Sequence, residues 1–74
     1  VQRVYEVVES RIAGAFEGWS GDSTYRLENG QVWQQSKYKC QYKYAYRPEV
    51  VVYSTGSGFK MRIEELEAYV RRMR

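Results

Sequence analysis

The chain contains no histidine, one cysteine and one proline. Without histidine it lacks a His-based triad, a histidine metal ligand and the side chain that ordinarily titrates near neutral pH. A single cysteine makes neither an internal disulfide nor a thiolate cluster, so we expect no metal, no cofactor and a reducing, cytoplasmic location. No apolar run approaches the roughly 18 residues of a membrane-spanning helix, so we expect no membrane partner.

Positive charge is scarce in the first half of the chain and concentrated in the second. Residues 1–36 contain three Lys or Arg against five acidic residues, a balance of −2. Residues 37–74 contain nine against four, a balance of +5. A polyanionic partner is therefore expected to be drawn to the second half.

The length of the chain, 74 residues, predicts one small domain, residues 1–74, with no room for a second. A domain of this size has a small core, so nearly every large side chain is needed for packing. Twelve aromatic residues, eight of them Tyr, are the main material for that core.

Most of the sequence has the pattern of short β-strands. Asn29-Gly30 lies between two strand-like runs, which predicts a hairpin with strands near 23–28 and 31–36 and a type I′ turn. An extended strand is expected over about 3–17, with Gly14 at a bulge or a close approach. Two more strands are predicted, at 50–53 from a continuous apolar run and at 59–63 from alternation of apolar and basic residues.

Residues 37–47 alternate strictly between two kinds of side chain. Such alternation predicts one β-strand with tyrosines on one face and basic residues on the other, ended by Pro48. The even positions are Tyr38, Cys40, Tyr42, Tyr44 and Tyr46, and the odd positions are Lys37, Lys39, Gln41, Lys43, Ala45 and Arg47.

The last eleven residues fit two structures. Ile63, Leu66, Val70 and Met73 fall on one face of a helix, and the order of acidic then basic residues suits the helix dipole. This pattern favours an α+β fold with a C-terminal helix at 63–73. Against the helix, no capping residue precedes Ile63. A helix here would also remove the closing strand of a β-barrel, the fold that the other strands favour.

Three motifs occur together: Ile12-x-Gly14-x-Phe16-x-Gly18-Trp19, then Tyr25-x-Leu27-x-Asn29-Gly30-Gln31-x-Trp33-x-Gln35, then Tyr46-Arg47-Pro48-Glu49-Val50. Over roughly residues 10–73 the chain resembles a group of small, largely uncharacterised bacterial domains. The resemblance implies an all-β, SH3-like barrel of about five strands, with a turn at 64–67 and a closing strand at 68–73. The resemblance supplies no established activity and no functional residues that could be assigned to this chain. On this basis we expect the strand, with the helix as the alternative.

The basic positions of the alternating segment are a candidate anion or nucleic-acid contact, because same-face residues on a strand are about 7 Å apart, comparable to phosphate spacing. Strict alternation separates them from the tyrosines, which disfavours base stacking. The ordinary structural interpretation is a solvated basic face over an inward tyrosine face. The candidates are Lys37, Lys39, Lys43 and Arg47, to which Lys60, Arg62, Arg71 and Arg72 are added as further cations.

The tyrosines suggest a second kind of site. Seven of them, including Tyr25, Tyr53 and Tyr69, carry more hydroxyl groups than so small a core accommodates. Some should reach the surface, either simply to hydrate the hydroxyl or to form an aromatic groove for another protein or a second copy. The residues predicted for this surface are Trp19, Tyr38, Tyr42, Tyr44 and Tyr46, with Trp33 as a further candidate.

Catalysis is not expected. The nucleophile candidates Cys40, Ser20 and Ser36 have no histidine partner, and Gly56-Ser57-Gly58 lacks the pattern of a phosphate loop. The glutamates at 64, 65 and 67 are typical of a solvated turn. The sequence therefore predicts a non-enzymatic interaction module for protein or self-association, with weak nonspecific nucleic-acid binding as the alternative.

Overall fold

A computed structural model describes residues 7–74 of the chain. All regular structure in this range is β, in ten strands and without a helix, and so no helix there could span a membrane. The strands are β1 Val7–Arg11, β2 Ala15–Phe16, β3 Trp19–Ser20, β4 Thr24–Arg26, β5 Val32–Gln35, β6 Cys40–Gln41, β7 Ala45–Tyr46, β8 Glu49–Thr55, β9 Gly58–Ile63 and β10 Leu66–Arg72.

Six of these strands form one curled antiparallel sheet in the order β1-β8-β9-β10-β5-β4. Its two edge strands meet at an isolated bridge between Ile12 and Leu27. Two backbone hydrogen bonds flank that bridge, from Ala13 N–H to the Arg26 carbonyl (2.9 Å) and from Glu28 N–H to the Arg11 carbonyl (2.8 Å). The main sheet thus has six strands where the resemblance implies about five, and its edges join at one end.

The core fills the concave side of this sheet. In β8, β9 and β10 buried residues alternate with more exposed ones, and the register places buried residues directly opposite one another. Burying apolar area is the main term that stabilises such a sheet. The core residues are Ile12, Phe16, Trp19, Tyr25, Leu27, Trp33, Val50, Val52, Met61, Ile63, Ala68 and Val70.

The C-terminal segment is strand β10, so the helix at 63–73 is wrong and the closing strand is confirmed. Leu66, Ala68 and Val70 point to the core at the two-residue period of a strand, and β10 pairs with both β9 and β5. The turn before it needs no glycine, because Glu64 itself adopts a positive φ of 55°.

The hairpin at Asn29-Gly30 is confirmed by the pairing of β4 with β5, but its turn differs from the expectation. A type I′ turn needs positive φ at both central residues, and only Gly30 has it, at 92°. Gly30 N–H donates to the Leu27 carbonyl (3.0 Å), and Leu27 N–H to the Gln31 carbonyl (2.9 Å). The connection is therefore a three-residue loop with glycine at the left-handed position.

The extended strand expected over 3–17 is two strands in the described part of the chain. Residues 3–6 of that expectation lie outside the described residues. Strand β1 ends at Arg11, and the chain turns away at Gly14, whose φ is +106°, before β2 begins. A glycine is needed there for its conformation, since a Cβ at Gly14 would meet no atom within 4 Å.

One buried polar side chain connects the sheet to the segments outside it. Gln35, on β5, is only 4% exposed. Its Oε1 accepts from the backbone N–H groups of Ser20 (3.2 Å), Gly21 (3.1 Å) and Ser23 (3.3 Å). Its Nε2 donates to the Lys39 carbonyl (3.1 Å). A loop before the hairpin and a segment after it are thus held by the same carboxamide.

Replacing Gln35 by leucine should lower the free energy of unfolding by about 3 kcal/mol, because four buried or part-buried hydrogen bonds are lost. Gln34→Leu is the matched control on the exposed side of β5, and we expect a change of about 0.5 kcal/mol or less. Urea denaturation measures both values. Equal losses for the two variants would contradict the role given to Gln35.

Candidate functional site

The candidate site is the segment 37–47, here called the outer ribbon, which is not the continuous strand that the alternation predicts. It contains only the short strands β6 and β7, which pair with β3 and β2 outside the main sheet. Tyr46 is opposite Ala15, and Gln41 is opposite Trp19. Between these pairs, residues 42–44 face only residues 17–18, so the ribbon has one extra residue. This is a bulge-like irregularity. It leaves Gln41 and Ala45 both opposite buried residues, Trp19 and Phe16, so the even-numbered positions stay on the outer side.

Gly18 is the partner-strand residue at the bulge, and it lets the two backbones approach closely. Its φ is +98°, and a Cβ there would lie 2.1 Å from the Gln41 carbonyl oxygen and 2.7 Å from the Lys43 nitrogen. The sequence signal for this irregularity is therefore Gly18, which lies outside the alternating segment.

All four ribbon tyrosines are exposed, so the inward-facing interpretation is wrong. Their exposed fractions are 82% for Tyr38, 76% for Tyr42, 56% for Tyr44 and 68% for Tyr46. Exposed aromatic area of this extent on so short a segment is unusual for a purely structural strand.

The inner side is already occupied by aromatics from other segments. Phe16, Trp19 and Tyr25 pack with ring centroids 5.3–5.9 Å apart, mostly edge to face. Trp19 is 1% exposed, so its place in the predicted aromatic surface is wrong. Trp33 is also buried and packs edge to face on Phe59.

Tyr25 shows how one hydroxyl group is accommodated in this interior. Its hydroxyl donates to the Gly18 carbonyl (2.8 Å), and burial raises its pKa above the ordinary value. This hydrogen bond gives the buried hydroxyl group an acceptor, and it fixes the position of Gly18 beside the ribbon.

Two of the four predicted ribbon cations are paired with carboxylates. Lys43 Nζ lies 2.8 Å from Glu64 Oε2, and Arg47 Nε lies 2.5 Å from Glu28 Oε2. The hydrogen bond from Arg47 lowers the pKa of the Glu28 carboxyl, and that from Lys43 to Glu64 raises the pKa of the lysine. The stretch 42–47 therefore presents Tyr42, Tyr44 and Tyr46, here called the aromatic patch, beside neutralised charges.

The other two ribbon cations lie on a different part of the surface. Lys37 Nζ is 4.3 Å from the centre of the Tyr69 ring, and Lys60 Nζ is 4.8 Å from the same centre. Lys39 Nζ donates to the Glu67 carbonyl (2.5 Å). These side chains form a concavity of about 290 Å³, here called the lysine pocket, lined by Lys37, Tyr38, Lys39, Lys60, Glu67, Ala68 and Tyr69.

The remaining predicted cations do not join either group. Arg71 donates to the Gln34 side chain (2.8 Å), and Arg62 donates to the Glu64 carbonyl (3.2 Å). Arg72 is exposed at the end of β10. The eight cations proposed from sequence are thus divided. Tyr69, which contacts two of the lysines, was not among the residues predicted for the cation site.

The described residues contain no cluster of three or more side chains that could hold a metal ion. Cys40 is an exposed free thiol on the ribbon. Glu67, one of the three glutamates near the β9–β10 turn, accepts from the Tyr53 hydroxyl (2.5 Å), which raises the pKa of that phenol.

No family model, curated protein or solved structure matches the chain at a significant level. Function is therefore inferred from the outer ribbon and the lysine pocket themselves.

Gly18→Ala should detach the outer ribbon, because the new methyl group would overlap the backbone of residues 41–43. Gly14→Ala is the matched control, with similar positive φ and no neighbour within 4 Å. We expect about 1 kcal/mol of destabilisation from conformation in the control and at least about 2 kcal/mol more in Gly18→Ala. Denaturation with amide exchange at residues 40–46 measures the difference, and similar values for the two variants would argue against the close approach.

Proposed function

We propose that the chain is a non-enzymatic, SH3-like interaction module that associates with a second copy of itself through the aromatic patch. The supporting observation is the exposure of Tyr42, Tyr44 and Tyr46, each more than half accessible, on a ribbon outside the main sheet. The curled antiparallel sheet of short strands supports the SH3-like assignment.

Tyrosine is well suited to such a contact. Its ring offers a large apolar area at a low cost in side-chain entropy, and its hydroxyl finds polar partners at the edge of an interface. Tyr is accordingly frequent among the residues that dominate binding energy.

The two ion pairs beside the patch favour a partner of the same kind. If Lys43 and Arg47 were unpaired, two copies of the ribbon would repel one another. Glu64 and Glu28 neutralise them within each copy, so two patches can meet around a two-fold axis. Three rings at roughly 150–250 Å² each make a small interface, which predicts a weak, micromolar to millimolar dimer.

Sedimentation equilibrium should show reversible dimerisation between low micromolar and millimolar protein. The triple variant Tyr42→Ser, Tyr44→Ser and Tyr46→Ser should remain monomeric, because the apolar contact is lost. Tyr38→Ser is the matched control on the same ribbon but at the lysine pocket, and it should dimerise as the parent does. A parent chain that is monomeric at all concentrations would overturn self-association.

Nucleic-acid binding is a second candidate, and one observation favours it. Because both sides of the ribbon are exposed, tyrosines and lysines are accessible on the same segment. The combination of aromatic platforms and cations is used to bind single strands without sequence preference.

Titration of mixed-sequence single-stranded DNA and RNA, followed by fluorescence anisotropy, tests this candidate. Binding should weaken steeply between low and moderate salt, because released counterions dominate the affinity. Lys37→Gln should make the slope of log binding constant against log salt concentration shallower by about one or less. The absence of binding even at low salt would exclude this role.

A further inference from the structure

The lysine pocket lies where the chain leaves the sheet and enters the outer ribbon. Ser36 N–H donates to the Tyr69 carbonyl (2.9 Å), and Lys39 Nζ donates to the Glu67 carbonyl (2.5 Å). Lys60 is directly opposite Tyr69 in the pairing of β9 with β10. Side chains from the ribbon and from two strands of the main sheet therefore converge on a preformed concavity.

None of the three lysines of the pocket forms an ion pair with a carboxylate among the described residues. Within residues 7–74, no carboxylate lies within 4.0 Å of the ammonium groups of Lys37, Lys39 or Lys60. The carboxylate of Glu67 accepts from the Tyr53 hydroxyl instead (2.5 Å). This contrasts with Lys43 and Arg47, whose charges are paired on the same ribbon. Three lysines and one glutamate line the pocket, a net charge of +2, which attracts an anion.

The Tyr69 ring brings two of the ammonium groups together. Lys37 Nζ and Lys60 Nζ lie 4.3 and 4.8 Å from its centre, so they are at most about 9 Å apart. Lysine side chains are flexible, so two ammonium groups held near one ring can converge on a tetrahedral phosphoryl group, which offers several acceptor oxygens. A carboxylate offers only two oxygens in one plane.

The pocket also has an aromatic wall. Tyr38 is 82% exposed, and its ring edge packs against Gly21, where an added Cβ would lie 2.8 Å from the ring. A ring held at one edge and open on its faces is available for stacking on a planar group. The volume of about 290 Å³ suits a small ligand or one nucleotide unit of a longer chain.

We propose that the lysine pocket is a binding site for the phosphoryl group of a nucleotide, held by Lys37, Lys39 and Lys60, with Tyr38 stacking on the base. The same chemistry serves a free nucleotide or a nucleotide unit of a single strand. The site does not depend on the aromatic patch, and its residues differ from those that self-association requires.

The test is a titration of the whole chain with adenosine 5′-monophosphate, followed by the amide shifts of Lys37, Lys60 and Tyr69 at constant ionic strength. We expect saturable shifts, competition by inorganic phosphate and no comparable shifts with adenosine. The double variant Lys37→Gln and Lys60→Gln should bind at least about tenfold more weakly, since two cations are lost. Lys43→Gln is the matched control on the ribbon, and it should bind as the parent does.

A parallel titration with oligothymidylate distinguishes the two sources of the phosphoryl group. Tighter binding of the oligonucleotide, still weakened by the double variant and not by Lys43→Gln, would assign the site to a strand. The proposal is overturned if neither adenosine 5′-monophosphate nor inorganic phosphate produces saturable shifts, or if Lys43→Gln weakens binding as much as the double variant. An unchanged spectrum away from the pocket shows that the double variant is folded.

Discussion

The Gln35 carboxamide is the interaction on which the candidate surfaces depend. Core packing and strand pairing hold the six-stranded sheet, but the outer ribbon contributes no residue to that core. Gln35 supplies a polar attachment from the sheet interior to both the 20–23 loop and the ribbon at Lys39. Because a buried carboxamide is costly unless all its partners are in place, the same contact specifies one position for the ribbon. The geometry of both the aromatic patch and the lysine pocket follows from that position.

Sequence patterns predict strands correctly where one face of the strand is buried and the other is exposed. The hairpin at Asn29-Gly30 and the strand at 59–63 were predicted correctly, because turn chemistry and alternation act locally there. The helix alternative at 63–73 arose because Ile63, Leu66 and Val70 fit a helical period as well as a strand with a turn before it. The segment is a strand because β10 pairs with both β9 and β5, and a local sequence pattern does not reveal such pairing.

The candidate site was predicted in its residues but not in its arrangement. The alternation predicts an inward tyrosine face, yet Phe16 and Trp19 from the partner segment already fill the interior. The bulge depends on Gly18, which lies far from the ribbon in sequence. Pairing with Glu28 and Glu64 separates Arg47 and Lys43 from the cations that have no ion pair among residues 7–74, and such long-range partners are not visible in a local charge pattern.

The order of strands in the sheet has a kinetic consequence. Strands β8, β9 and β10 follow one another along the chain, so their pairing closes only short loops. Strand β1 pairs with β8 across about 40 intervening residues, and that contact must form against a larger loss of chain entropy. This order predicts the three-stranded meander as the folding nucleus, with β1 and the outer ribbon docking later. We then expect the surface proposed to meet partners to assemble last and to open first.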